Sequence, residues 1–126
     1  MPKREPLQPD GVAVPKVPYS PVVVSGDLVF TAGQAPFDVN GNLVSDDITE
    51  QTVQTLKNLR SCLEAAGCSL EDVVKVNAYL TDLGDFPAYN AVYEQTFSKP
   101  YPARTTVQAG LVGFKVEIEA VARKPS

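Results

Sequence analysis

Basic and acidic side chains alternate with small or apolar residues towards the end of the chain. Arg104, Thr106 and Gln108 fall at every second position, and so do Glu117 and Glu119. At strand spacing each set shares a face. A guanidinium there offers a planar fork that matches a carboxylate in a bidentate, charge-assisted pair. A carboxylate beside it can hold a water or exchange a proton. The bland alternative is an ion pair between Arg104 and Glu117 or Glu119, or a glutamate left in solvent. Spacing alone leaves both open.

What is missing narrows the chemistry. The 126 residues include no histidine. That removes Ser-His-Asp and Cys-His catalysis, His-ligated zinc and imidazole acid–base chemistry. Cys62 and Cys68 are too few for a zinc site and do not form CxxC, so they read as buried free thiols. Eleven basic against fifteen acidic side chains give a net charge of −4. An acidic surface repels phosphate backbones, so no nucleic-acid partner is expected. No apolar run reaches membrane-spanning length, and none is expected to bind a membrane. Few cysteines and a start that resembles neither a signal peptide nor an Arg-rich presequence point to the cytoplasm.

The elements that must position these residues follow from pattern. Length predicts one domain over 1–126. Pro2, Pro6, Pro9 and Pro15 make residues 1–16 an extended arm, ending in a short edge strand at most. Val22–Val24, a Ser25-Gly26-Asp27 turn and the run from Leu28 to Ala32 read as a hairpin. Asp47, with Glu50 three residues on, caps a helix over about 47–66. Val53, Leu56, Leu59, Leu63 and Ala66 form its apolar stripe, and Gly67 suits its end. Leu70 and Val73–Leu80 form the next strand. Its inward set is Val74, Val76, Ala78 and Leu80. A second helix begins near Asp82–Asp85, with Phe86, Tyr89, Tyr93 and Phe97 as its stripe. Two neighbouring strands follow, near 104–109 and 115–123. The order predicts an α+β sandwich, a mixed sheet with both helices on one face.

If the apolar sets face the helices, Arg104, Thr106, Glu117 and Glu119 share the uncovered face. Val29, Tyr79 and Val121 are expected there too. A mixed apolar and charged face predicts an oligomer with polar groups trapped between subunits.

These segments resemble the Rid (reactive intermediate deaminase) family, also called the YjgF family. The resemblance is carried by Pro18-Tyr19-Ser20-Pro21, Gly26 to Phe30, Ala32-Gly33-Gln34 and the run from Gln51 to Leu80. Further matches are Asp85-Phe86 to Tyr93, Pro102-Ala103-Arg104-Thr105-Thr106-Val107 and Val116-Glu117-Ile118-Glu119-Ala120. It spans roughly residues 15–123. It implies a chorismate-mutase-like fold with a six-stranded sheet, in a homotrimeric barrel with sites between subunits. It also implies hydrolysis of 2-imino or enamine acids, such as 2-iminopropanoate and 2-iminobutanoate, to 2-keto acids and ammonia. No cofactor or metal is implied.

By the same resemblance Arg104 binds the substrate carboxylate and backbone at Thr106 assists. Glu117 orients the attacking water, with Glu119 as rival for that role. Tyr19 and Asn90 line the cleft, and Gly33 lets backbone approach the ligand. Two departures stand out: Ala32 where serine is frequent, and a short 108–115 loop without the usual proline. The loop keeps two alternatives in play. One is a pathway-specific enamine deaminase of aminoacrylate or aminomuconate type. The other is a non-catalytic protein that binds a small 2-keto acid. An older association of the family with RNA cleavage runs against the acidic balance and the absent histidine.

Overall fold

The computed structural model describes residues 3–126. Met1 and Pro2 of the expected arm lie outside them. The strands are β1 (Glu5–Leu7), β2 (Val22–Ser25), β3 (Leu28–Thr31), β4 (Val73–Leu80), β5 (Ala103–Gln108) and β6 (Val116–Arg123). The helices are α1 (Ile48–Ala65) and α2 (Phe86–Thr96). One six-stranded sheet runs β1-β2-β3-β6-β4-β5. Only β4 and β5 are parallel; every other pair is antiparallel.

Local chemistry sets the boundaries. Gly26, at φ +62°, makes the β2–β3 turn. Asp47 Oδ2 accepts from the Glu50 N–H at 2.9 Å, which starts α1. The reciprocal half of the expected capping box is not made, because Ser45 Oγ takes the Asp47 N–H. At the other end Cys68 N–H donates to Leu63 O and Gly67 N–H to Glu64 O, with Gly67 at φ +77°. The arm contributes an edge strand, β1, near its beginning rather than its end. Proline is tolerated there because an edge leaves its missing N–H unneeded.

Three expectations change. Val53 is 53% exposed. The buried face of α1 instead includes Gln51, Thr52, Thr55 and Asn58 beside Leu56, Leu59 and Leu63. Leu70 sits in a 3-10 turn, Leu70–Asp72, not in the strand. A bulge at the start of β4 then reverses its first two residues: Val73 faces Ala122 in the core and Val74 is exposed. Beyond it, Val76, Ala78 and Leu80 point inward as expected, with Val116, Ile118, Ala120 and Ala122 of β6.

The buried polar residues of α1 tie loops to the core. Asn58 Nδ2 donates to Ala35 O and to Phe37 O, each at 2.9 Å. Gln51 donates to Ser45 O and accepts from the Lys115 N–H, both at 2.8 Å. Replacing Asn58 with Ala leaves two carbonyls of a partly buried loop without their donor. We expect a loss of about 1–3 kcal/mol, read as a lower urea midpoint at unchanged slope.

Candidate active site

Arg104 enters from the edge strand β5 and lies beneath α2. Its Nη1 donates to Asn90 Oδ1 at 2.7 Å. Its guanidinium carbon sits 4.5 Å from the Tyr93 ring centre, 5.5 Å from Tyr89 and 5.6 Å from Phe86. Helical spacing explains the grouping: positions 86, 89, 90 and 93 fall on one face of α2. Among the described residues no carboxylate lies within ion-pair distance of Arg104. The only such pair among them is Arg123 with Asp27, at 3.2 Å. Arg104 is thus a half-buried cation held by rings and one neutral amide, with donors to spare. It lines a recess of about 470 Å³ with Asn90, Tyr93, Glu94, Lys99 and Tyr101, so two cations there face one carboxylate.

Glu117 belongs to a different group. It pairs with Tyr79 across the sheet, on the side the helices leave uncovered. Gln34 exchanges two backbone hydrogen bonds with Ile118, at 2.8 and 3.0 Å. That bridge lays Gly33 over Glu117. A Cβ built at Gly33 would sit 2.6 Å from Glu117 Cδ and 2.9 Å from Cγ. Burial pushes the Glu117 carboxyl up from its ordinary value, and the Glu119 charge adds to the rise. Glu119 is already engaged: Tyr79 Oη donates to it at 3.1 Å and Asn77 Nδ2 at 3.5 Å. Glu117 accepts no side-chain hydrogen bond among the described residues.

The expected shared face of Arg104 and Glu117 does not exist. β4 lies between β5 and β6, so the two strands are not neighbours. In register, Arg104 and Ala120 both flank Val76, and Thr106 and Ile118 both flank Ala78. Residues level across a sheet share a face. Arg104 and Thr106 therefore lie on the helix side, under the face of α2 that carries Phe86, Tyr89, Asn90 and Tyr93. Glu117 and Glu119 lie on the open side. Val29 is also corrected: it is fully buried, and Leu28 and Phe30 point outward instead. Tyr79 and Val121 are half-buried on the open face, as expected.

The remaining residues are placed as follows. Asn90 holds Arg104 rather than standing free. Tyr19 is 52% exposed, and its hydroxyl has no hydrogen-bond partner among the described residues. Thr106 Oγ1 meets the Tyr89 hydroxyl at 3.1 Å. The 108–115 loop is anchored where Lys115 Nζ donates to Asp46 O at 2.6 Å, and its tip, Val112, is 92% exposed. Phe37 and Phe114 pack edge-on at 5.5 Å, joining this loop to the segment after β3. Cys62 and Cys68 are free and buried, and burial pushes Cys62 up to about 12, far from a reactive thiolate. Spacing alone does not single out the ring cage around Arg104: Phe86, Tyr89 and Tyr93 carry the pattern of an apolar helix stripe, and only their aromatic character hints at a cation between them.

A larger cleft of about 820 Å³ opens near the C-terminal ends of both helices, but it contains neither Arg104 nor Glu117. Its size does not make it the site, because its charges, Arg60 and Lys99 against Glu64 and Glu71, are balanced. No three His, Cys, Asp or Glu residues cluster to hold a metal among the described residues. No helix there is long and apolar enough to cross a membrane.

Known proteins share both sequence and fold with this chain. The family described as Endoribonuclease L-PSP matches residues 11–124. Human 2-iminobutanoate/2-iminopropanoate deaminase is 40% identical over 108 residues, covering 83% of this chain and 79% of its own. RidA from an Antarctic Psychrobacter superposes with a TM-score of 0.89 at 39% identity, over 95% of this chain and 99% of that one. TdcF from E. coli, solved with bound serine, gives 0.90 at 33% identity, over 96% and 99%. With its motifs, sheet order and helices all in agreement, the chain belongs to the Endoribonuclease L-PSP family, the Rid family its sequence resembles.

Proposed function

We propose that the protein hydrolyses small 2-imino acids, 2-iminopropanoate and 2-iminobutanoate, to 2-keto acids and ammonia. The observation that carries this is Arg104: a half-buried guanidinium with no carboxylate in ion-pair distance among the described residues, preset by Asn90 and three rings. A site of that kind takes an anion, and its fork suits a carboxylate. The human relative's name and the serine bound to TdcF agree with a small amino-acid-like ligand.

Little catalytic power is needed beyond binding. A protonated imine is already electrophilic, and a hundred- to ten-thousandfold acceleration takes only about 3–5 kcal/mol off the barrier. Arg104 holds the carboxylate and Glu117 receives a proton from the attacking water. Oxygen bonds to the imine carbon as the C=N π pair moves to nitrogen. Glu117 returns the proton to nitrogen and then takes the carbinolamine hydroxyl proton as the oxygen pair forms C=O and the C–N bond breaks. Keto acid and ammonia leave, and the ammonia picks up that proton as ammonium. Tyr19 closes the cleft, and Gly33 allows the Glu117 carboxylate its position.

Arg104 and Glu117 face opposite sides of one sheet, so the working pair comes from two chains. The patch holding Arg104 then meets a different patch on its neighbour. Such a contact is heterologous and closes as a ring, and we propose a homotrimer. The apolar members of the open face, Leu28, Phe30, Tyr79 and Val121, are what the ring covers. We place it in the cytoplasm, where Cys62 and Cys68 stay reduced.

The test is to generate 2-iminobutanoate with an amino-acid oxidase and trap it with semicarbazide. Wild type should suppress trapping and release ammonia. Binding of 2-ketobutanoate without any suppression would overturn the hydrolase in favour of a carboxylate-binding protein. Gly33 gives a second check. Its φ lies outside the left-handed region, so alanine strains no backbone there. The added Cβ displaces the Glu117 carboxylate, which is flexible enough to yield. Gly33→Ala should keep its melting temperature within a few degrees and lose roughly a hundredfold in kcat, the usual cost of a group misplaced by about 1 Å.

A further inference from the structure

The hydroxyl of Tyr89 has no part in the chemistry above. The residue is 0% exposed, so its ring alone would be explained by packing beside Phe86 and Tyr93. A buried O–H, in contrast, needs a partner. Here the partner is Thr106 Oγ1, at 3.1 Å. Thr106 stands two residues after Arg104 on the same face of β5, and the same Tyr89 ring lies 5.5 Å from the Arg104 guanidinium.

One bond between two hydroxyls has a preferred direction. A phenol, with an ordinary pKa near 10, is a much better donor than an aliphatic alcohol. Burial raises the Tyr89 pKa further, against the opposing pull of Thr106 and Arg104, so the phenol keeps its proton at neutral pH. When Tyr89 donates, Thr106 Oγ1 becomes the acceptor. The Thr106 proton then has no acceptor among the described residues and is left for an incoming group. A hydroxyl that accepts one hydrogen bond also donates the next one more strongly.

We propose that Tyr89 is a positioning residue for carboxylate recognition: its hydroxyl fixes Thr106 so that the Thr106 O–H donates to the carboxylate held by Arg104. This rests on the carboxylate reading of Arg104. It assigns the Thr106 side chain a role beside its backbone. Phenylalanine at 89 would fill the same space but leave the Thr106 hydroxyl free to rotate among its staggered wells.

The experiment compares full-length wild type, Tyr89→Phe, Thr106→Val, Thr106→Ser and the Tyr89→Phe/Thr106→Val double variant. Calorimetry gives Kd for 2-ketobutanoate, and the trapping assay gives KM and kcat. Tyr89→Phe should raise Kd and KM by about two- to tenfold, the range for one neutral hydrogen bond, with kcat within about twofold. Thr106→Val removes the donor itself, so its loss should equal or exceed that of Tyr89→Phe. The double variant should be no worse than Thr106→Val alone, and Thr106→Ser should stay near wild type. An unchanged Kd and KM in Tyr89→Phe, or fully additive losses in the double variant, overturn the proposal alone. A wild type that neither binds the keto acid nor consumes the imine overturns the carboxylate reading and this inference with it.

Discussion

Arg104→Ala should lower kcat/KM for 2-iminobutanoate by about a hundred- to ten-thousandfold while the protein stays folded. A guanidinium fork gives a carboxylate two charge-assisted hydrogen bonds at about 1.5–3 kcal/mol each. Losing both costs about 3–6 kcal/mol, at roughly 1.4 kcal/mol for each factor of ten. The fold should survive because Arg104 lies on an edge strand and breaks no ion pair on leaving. What goes is one bond to Asn90 and its contact with the rings, worth about 0.5–1 kcal/mol at a partly exposed site. Arg104→Lys separates charge from shape. It keeps the cation but not the planar fork, so it should recover only part of the loss. Trapping with semicarbazide reads the rate, and the thermal midpoint reads the fold. Wild-type turnover in Arg104→Ala would sink the clamp; a collapsed midpoint would make Arg104 a structural residue.

Much of this arrangement was legible in the chain. The hairpin around Gly26, the helix opened by Asp47 and closed by Gly67, and the alternation in β6 each rest on local rules that the fold obeys. Non-local register was not legible. Nothing in residues 103–123 says that β4 inserts between the last two strands, and that insertion sends Arg104 and Glu117 to opposite faces. The reversal of Val73 and Val74 has the same origin, because a bulge moves one residue across the pleat. Along α1, hydrophobic spacing misjudged Val53 because Gln51, Thr52 and Asn58 occupy inward positions. Such residues are buried for their hydrogen bonds, a property absent from apolar periodicity. The site shows the same division. Motifs pick out Arg104, Asn90, Gly33 and Glu117 as candidates, and only coordinates show that Asn90 and the α2 rings hold Arg104, or that Gly33 lies over Glu117.

Glu117→Gln should lose activity without losing stability. If Glu117 moves the water proton as proposed, it should be worth about a hundred- to ten-thousandfold in kcat, with KM little changed. Its effect on stability has the opposite sign from that of a paired carboxylate. Burial, then the Glu119 charge, raises its pKa in the folded state. A carboxylate raised in this way costs stability whenever it is ionised. That cost is full above the folded pKa and is relieved as pH falls through it towards the unfolded value. Glutamine carries no charge, so the variant's thermal midpoint at neutral pH should equal or exceed that of wild type. The difference should shrink as the solution is made acidic. A lower midpoint at neutral pH would make Glu117 a structural anchor. Glu119→Gln supplies the contrast: Tyr79 and Asn77 donate to its two different oxygens, and an amide keeps only one acceptor and turns a donor towards the other partner, so it should cost stability first. Mixing inactive chains then tests where the two halves meet. If Arg104 and Glu117 serve one site from neighbouring chains, co-refolded Arg104→Ala and Glu117→Gln subunits restore about one intact site in four. If each site drew both residues from one chain, the mixture would stay inactive. Partial recovery would therefore locate the chemistry at the seam between subunits.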